Sequence, residues 1–235
     1  MSNKKRVLLK LSGEALAGEK HTGFDEMTVR TVAKEVKKLI DHDFSVGIVI
    51  GGGNFWRGRT GEELTRSKAD QIGMLATVMN CIYVSDIFRG EGMKTEIYTP
   101  FVCGAFSHLF DIDAVNTALD AGTVTFFAGG TGHPYFSTDT ATVLRAVEIG
   151  ADQILLAKAI DGVYDSDPKT NPNAKKYDSL PIQDLVDQKL GVIDLTASIM
   201  CLENKMPLKV FALSEEDGIL KAALNQDFDG TSITA

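Results

Sequence analysis

Three times along this chain a short apolar run ends in a glycine-rich loop. Residues 7–11 lead into Ser12-Gly13, residues 46–50 into Gly51-Gly52-Gly53-Asn54, and residues 123–128 into Gly129-Gly130-Thr131-Gly132. Short runs with little polar interruption fit strands buried on both faces, as in a parallel sheet covered by helices. The intervening segments supply the helices. Val29, Val32, Ala33, Val36, Leu39 and Ile40 recur at helical spacing, and longer patterns cover 69–89, 114–121 and a stretch from Asp139 to near Gly150. Further strands are expected at 94–98, 153–157 and 208–211, and further helices at 198–204 and 219–224. Residues 164–181 are rich in Asp, Asn, Pro and Lys, which marks a polar loop or hairpin. Strands alternating with helices predict a three-layer α/β/α sandwich around a mostly parallel sheet.

The length of 235 residues, 44% of them hydrophobic, suits a single domain spanning residues 1–235 with one sizeable core. A formal net charge of −8 argues against a nucleic-acid partner. Cys81, Cys103 and Cys201 are far apart and odd in number, so a disulfide framework is not expected and a reducing, cytoplasmic setting fits. The run after Lys4-Lys5-Arg6 is broken by Lys10 and ends at Ser12-Gly13, unlike a secretory signal. No uninterrupted apolar stretch nears the roughly 20 residues of a membrane span, so no membrane partner is expected.

In open α/β sheets ligands bind beyond the carboxyl ends of the strands, where all three glycine loops sit. Glycine lets backbone N–H groups approach an anion closely, and Lys10, Arg57, Thr131, Ser137 and Thr138 add positive charge and hydroxyls. Together they predict a site for several phosphates. Taken singly each piece has a plainer reading: a tight turn for the glycines, an edge-strand residue for Lys10, a helix cap for Asp139. The P-loop pattern G-x-x-x-x-G-K-[ST] is absent, and Trp56 stands where a dinucleotide fingerprint needs its third glycine. His21, His42 and His108 read as surface residues, no histidine shows ligand spacing, and Asp161, Asp165 and Asp167 read as a solvated turn. No protein metal site is expected.

Specific motifs go further. Lys10-Leu11-Ser12-Gly13-Glu14, the run from Ile50 to Gly58, and the helix Asp70-Gln-Ile-Gly-Met-Leu-Ala-Thr-Val-Met-Asn80 resemble successive motifs of the bacterial UMP kinases of the amino acid kinase family. So do Gly130-Thr-Gly-His-Pro-Tyr-Phe-Ser-Thr-Asp-Thr-Ala141 and Asp161-Gly-Val-Tyr-Asp-Ser-Asp-Pro168, in the same order and over essentially the whole chain. The resemblance implies the amino acid kinase fold and transfer of the ATP γ-phosphoryl group to UMP, with Mg²⁺ arriving on ATP. It implies catalytic roles for Lys10, Arg57, Asp139 and Lys158. ATP would meet Lys10, Leu11, Ser12, Gly13, Gly53 and Arg57, with Lys158, Tyr164 and Asp167 beyond them. UMP would meet Gly52 and Asp70, the latter through the ribose, and the loop Thr131, Gly132, His133, Pro134, Tyr135, Phe136, Ser137 and Thr138. His133 stands where the family usually has asparagine. The family also implies a homo-oligomer, a hexamer; the apolar helix 72–87 reads either as a subunit interface or as an ordinary core helix. Two alternatives stay open: another amino acid kinase acting on a carboxylate, and a non-catalytic nucleotide-binding or storage module. Retention of Lys10 favours catalysis.

Overall fold

The computed structural model describes residues 4–56, 64–188 and 190–234. Its centre is a nine-stranded sheet. In chain order the strands are β1 (Lys5–Leu11), β2 (Phe44–Ile50), β3 (Thr95–Thr99), β4 (His108–Leu109), β5 (Val124–Phe127), β6 (Gln153–Lys158), β9 (Ser179–Pro181), β10 (Leu208–Ala212) and β11 (Gly230–Thr234), while β7 (Val163–Tyr164) and β8 (Lys176–Tyr177) form a separate hairpin. The helices are α1 (Gly13–Leu16), α2 (Glu26–Asp41), α3 (Arg66–Gly90), α4 (Ile112–Asp120), α5 (Thr138–Glu148), α6 (Ile182–Asp187), α7 (Leu195–Asn204) and α8 (Gly218–Leu224). Across the sheet the order is β4-β3-β5-β2-β1-β6-β10-β11-β9, and every pairing is parallel except β10 with β11.

The strand period of two sorts β1 between two cores. Val7, Leu9 and Leu11 face the layer of α2, α3 and α8, and Leu8 faces the layer of α4 to α7. Lys10 therefore shares the side of Leu8 and lies at the carboxyl end of that face. Fixed caps start the helices: Asp25, Asp111, Ser137 and Asp194 each accept a backbone N–H from the first turn of α2, α4, α5 and α7. Ser137, not Asp139, caps α5, which corrects the cap reading of Asp139; Asp139 sits one residue inside the first turn.

The expected sandwich is present, with three corrections at the far edge. β9, α6 and β11 were not expected. In β11 only Thr231 and Ile233 alternate inward, too short a period to stand out beside Asp229-Gly230. Among the described residues α3 is long and apolar enough, by length and composition alone, to cross a membrane. It falls below notice as a continuous run because polar residues punctuate it. Here Val78, Cys81, Val84 and Phe88 pack it against the sheet as one layer of the fold. The histidines His21, His42 and His108 are exposed, as expected.

Candidate active site

β2 lies between β1 and β5; from the carboxyl ends of β1 and β2 the chain enters the layer of α2 and α3, and from the end of β5 it enters the opposite layer at α5. A cleft of about 430 Å³ opens there. The first glycine loop supplies Lys10, Ser12, Gly13 and Glu14; the second supplies Gly51, Gly52, Gly53 and Trp56. α3 adds the stripe Asp70, Gly73, Met74 and Thr77, at helical spacing i, i+3, i+4, i+7. Gly130, Thr131, His133 and Phe136 come from the third loop, and Ser137, Thr138 and Asp139 open α5. The loops touch closely. A Cβ on Gly13 would lie 2.2 Å from the Gly51 carbonyl oxygen, so only glycine fits there. Gly129 has φ +79°, which lets the chain turn sharply out of β5.

The charged centre is Lys10 and Asp139. Their side chains are 12% and 20% exposed, with Lys10 Nζ 3.1 Å from Asp139 Oδ1. The contact is an ion pair without hydrogen-bond alignment, and this buried oxygen has no hydrogen-bond partner among the described residues. Lys158, at the end of β6, donates to the Val192 carbonyl and does not line the cleft. Burial pushes its ammonium pKa down; Asp139 opposes that shift and Lys10 adds to it. The three groups thus form one electrostatic unit behind the glycine loops.

On the opposite wall Asp70 Oδ2 accepts the Tyr135 N–H at 2.7 Å, with Arg66 Nε 3.7 Å away. Tyr135 holds φ +75°, and its ring lies 4.7 Å beneath the Arg66 guanidinium. Asp70 therefore fastens the third loop even without a ligand. Ser137 was expected to offer its hydroxyl to a phosphate, but it donates that proton to Asp194 and accepts the Thr140 N–H.

Asp194 was missed by sequence reasoning. It also accepts from Thr140 Oγ1 and from the Ala197 N–H, and so clamps the starts of α5 and α7 together. Burial raises its pKa, but the hydrogen bonds from Ser137, Ala197 and Thr140 outweigh that and hold it below the ordinary carboxylate value. Its capping role was visible locally; its contact with a helix 57 residues away was not.

Other expected site residues are not gathered into the cleft. Leu11 is fully buried and its carbonyl accepts from Gly51 N. Gly132, Pro134 and Tyr135 belong to the third loop but do not line the cavity. Tyr164 donates to Asp161 at 2.9 Å, and Asp167 Oδ1 accepts from the Lys169 N–H within its own turn. Arg57 lies outside the described residues. Glu14, Trp56, Gly73, Met74 and Thr77 line the cleft without having been singled out for it.

The amino acid kinase family model matches residues 5–212. The chain belongs to the amino acid kinase family. Solved relatives span its whole length. The UMP kinase of Bacillus anthracis is 35% identical, with 98% of this chain and 96% of that one covered and a TM-score of 0.93. The UMP kinase of Ureaplasma parvum is 32% identical over 100% of both chains, with a TM-score of 0.92. The uridylate kinase of Archaeoglobus fulgidus is 27% identical, covering 97% and 99%, with a TM-score of 0.74.

Proposed function

We propose that this chain is a UMP kinase, forming UDP and ADP from UMP and ATP in pyrimidine nucleotide synthesis. The observation that carries the reading is the cleft that joins the Lys10–Asp139 pair to the three glycine loops, with Asp70 on its far wall. Full-length likeness to the Bacillus and Ureaplasma UMP kinases supports the choice of acceptor.

Phosphoryl transfer needs alignment and charge stabilisation more than covalent chemistry. The glycine loops present N–H groups to the phosphates, and Lys10 stabilises negative charge spreading over the migrating group. Asp139 fixes the Lys10 ammonium, and Lys158 adds a second positive charge behind it. By family resemblance Arg57 would contact the same phosphates. Asp70 takes a hydrogen bond from the UMP ribose, exchanging the Tyr135 N–H for it or sharing its oxygens between the two. The 131–138 loop encloses base and acceptor phosphate, and Tyr164 and Asp167 serve the adenosine side.

Mg²⁺ would supply further neutralisation of phosphate charge. Among the described residues no cluster of three His, Cys, Asp or Glu side chains could hold a metal. The cleft carboxylates Glu14 and Asp139 fit an ion carried mainly by phosphates. We also propose a cytoplasmic homo-oligomer, a hexamer by family resemblance. Ile72, Leu75, Met79 and Ile82 form an apolar face of α3 that is 38–53% exposed, which suits a subunit interface.

An ADP-release assay across UMP, CMP, dUMP, acetylglutamate and aspartate tests the acceptor. UMP should be used best and dUMP poorly. Preference for a carboxylate acceptor, or no turnover with any of the five, overturns the reading.

A further inference from the structure

Behind the second glycine loop, buried away from the cleft surface, are two amides with no chemistry of their own. Asn54 follows the second glycine loop, Asn80 lies on α3, and they are 2% and 0% exposed. They pair reciprocally: Asn54 Nδ2 donates to Asn80 Oδ1 at 3.0 Å, and Asn80 Nδ2 donates to Asn54 Oδ1 at 2.8 Å. Their remaining protons go to backbone. Asn80 donates to the Gly51 carbonyl at 2.7 Å and Asn54 to the Gly23 carbonyl at 2.8 Å. A Cβ on Gly13 would sit 2.5 Å from Asn54 Oδ1, so the first loop rests on the same pair. One turn earlier, Thr77 accepts the Gly129 N–H at 2.8 Å while donating to the Met74 carbonyl at 2.6 Å.

Simple packing of α3 would be met by apolar residues of the same size, since buried polar groups stabilise only when fully paired. Here every amide proton is used, and the partners of α3 are backbone groups of the phosphate-facing loops. Fixing the Gly51 carbonyl also fixes the Gly52 N–H, because a trans peptide turns the two in opposite directions.

We infer that Asn54, Asn80 and Thr77 are positioning residues that hold the three glycine loops in mutual register for phosphoryl transfer. The inference rests on the kinase reading but not on the identity of the acceptor. Misplacing phosphate-binding backbone by about 1 Å costs up to about 10²-fold in rate, so loosening this clamp should act mainly on kcat.

The test is Asn54→Asp in the full chain. An ionised carboxylate at this position cannot donate to Asn80 Oδ1 or to the Gly23 carbonyl. The protonated carboxyl restores the reciprocal pair, and burial raises its pKa. The variant should fall about tenfold or more below the parent in kcat near pH 8. The variant-to-parent kcat ratio should then climb as pH falls toward about 6. Parity, or a deficit independent of pH, overturns the inference. Ser85→Ala, which removes a buried hydroxyl bonded to Ile82 on the same helix, should lower the melting temperature without this kinetic signature. If Asn54→Asp does not fold, Thr77→Val should lose kcat while Thr77→Ser keeps it, and equal kcat in those two variants overturns the inference. A parent inactive on UMP sinks the UMP reading alone; the same ratios are then measured with whichever acceptor the parent uses.

Discussion

The cleft at the ends of β1, β2 and β5 and the turn from Asp161 to Tyr177 carry equally recognisable motifs, yet they are held in opposite ways. The cleft is assembled from distant segments. Lys10 pairs with Asp139, Asp70 holds Tyr135, and Asp194 clamps Ser137, so its polar groups are fixed by other elements before any ligand enters. The turn is tied to the sheet edge at its base, where Thr231 accepts the Val163 N–H and donates to the Tyr177 carbonyl and Asp229 pairs with Lys176, but its carboxylates are held largely by neighbours within it. Asp165 accepts from Ser166 and from the Lys175 N–H, Asp167 accepts from the Lys169 N–H, and Asp161 is held by Tyr164 and Lys176. On the proposed reading, the contrast makes the acceptor and phosphate side pre-organised, whereas the turn must give up local hydrogen bonds before Tyr164 or Asp167 can serve ATP.

The sharpest break would come from Asp139→Asn. It leaves Lys10 and Lys158 near one another without their shared anion, and kcat should fall about 10²-fold. Asp139 raises the Lys158 pKa against burial, so its loss should move the alkaline limb of the kcat–pH profile to lower pH. A profile unchanged in height and position would separate Asp139 from the reaction.

Next in size is Asp70→Ala. A hydrogen bond to a carboxylate contributes about 1.5–3 kcal/mol, so KM for UMP should rise by roughly 10- to 100-fold and the preference over dUMP should flatten. Steady-state titration of both nucleotides measures this, and an unchanged UMP:dUMP ratio would remove Asp70 from ribose recognition.

On the other side of the comparison Tyr164→Phe should change KM for ATP by less than about threefold, because its hydroxyl already belongs to Asp161. A tenfold rise would mean that the turn opens to present the phenol.

Turnover should respond least to Glu35→Gln, remote from both regions. Glu35 accepts the Ile219 N–H at 3.0 Å, and burial, together with the Asp217 charge, raises its pKa from 4.5 to about 7. The folded state thus holds this proton more tightly than the unfolded chain. The group's contribution to stability is full below about pH 4.5 and is lost as pH rises through about 7. Glutamine stays neutral, so the variant should gain about 1–3 kcal/mol over the parent between about pH 5 and 8. Denaturant melts at both pH values measure this; a gap that does not grow with pH would refute it.

Much of this architecture is legible along the chain because local pattern and tertiary role coincide. The strands that end in glycine loops are buried as their apolar runs require, and Asp70 lies on the cleft face of its helix. What was not legible depends on contacts between segments remote in sequence. Asp194 looks like an ordinary cap, Asn54 and Asn80 meet only once α3 crosses the second loop, and Lys158 finds the Val192 carbonyl 34 residues further along the chain. β11 escaped notice because two inward residues are too few to establish a period. Arg57, readable as a phosphate ligand in sequence, lies outside the described residues.

The account turns on Lys10, a cation on an apolar strand held 3.1 Å from Asp139 at the mouth of the glycine loops. The most direct test is the kcat of Lys10→Ala for UDP formation, measured beside its melting temperature. Removing one preorganised charge-stabilising group costs on the order of 10²–10³-fold in kcat. The account predicts a loss of at least that order with a folded protein and little change in ATP affinity. A folded Lys10→Ala that makes UDP at the parent's rate would contradict it.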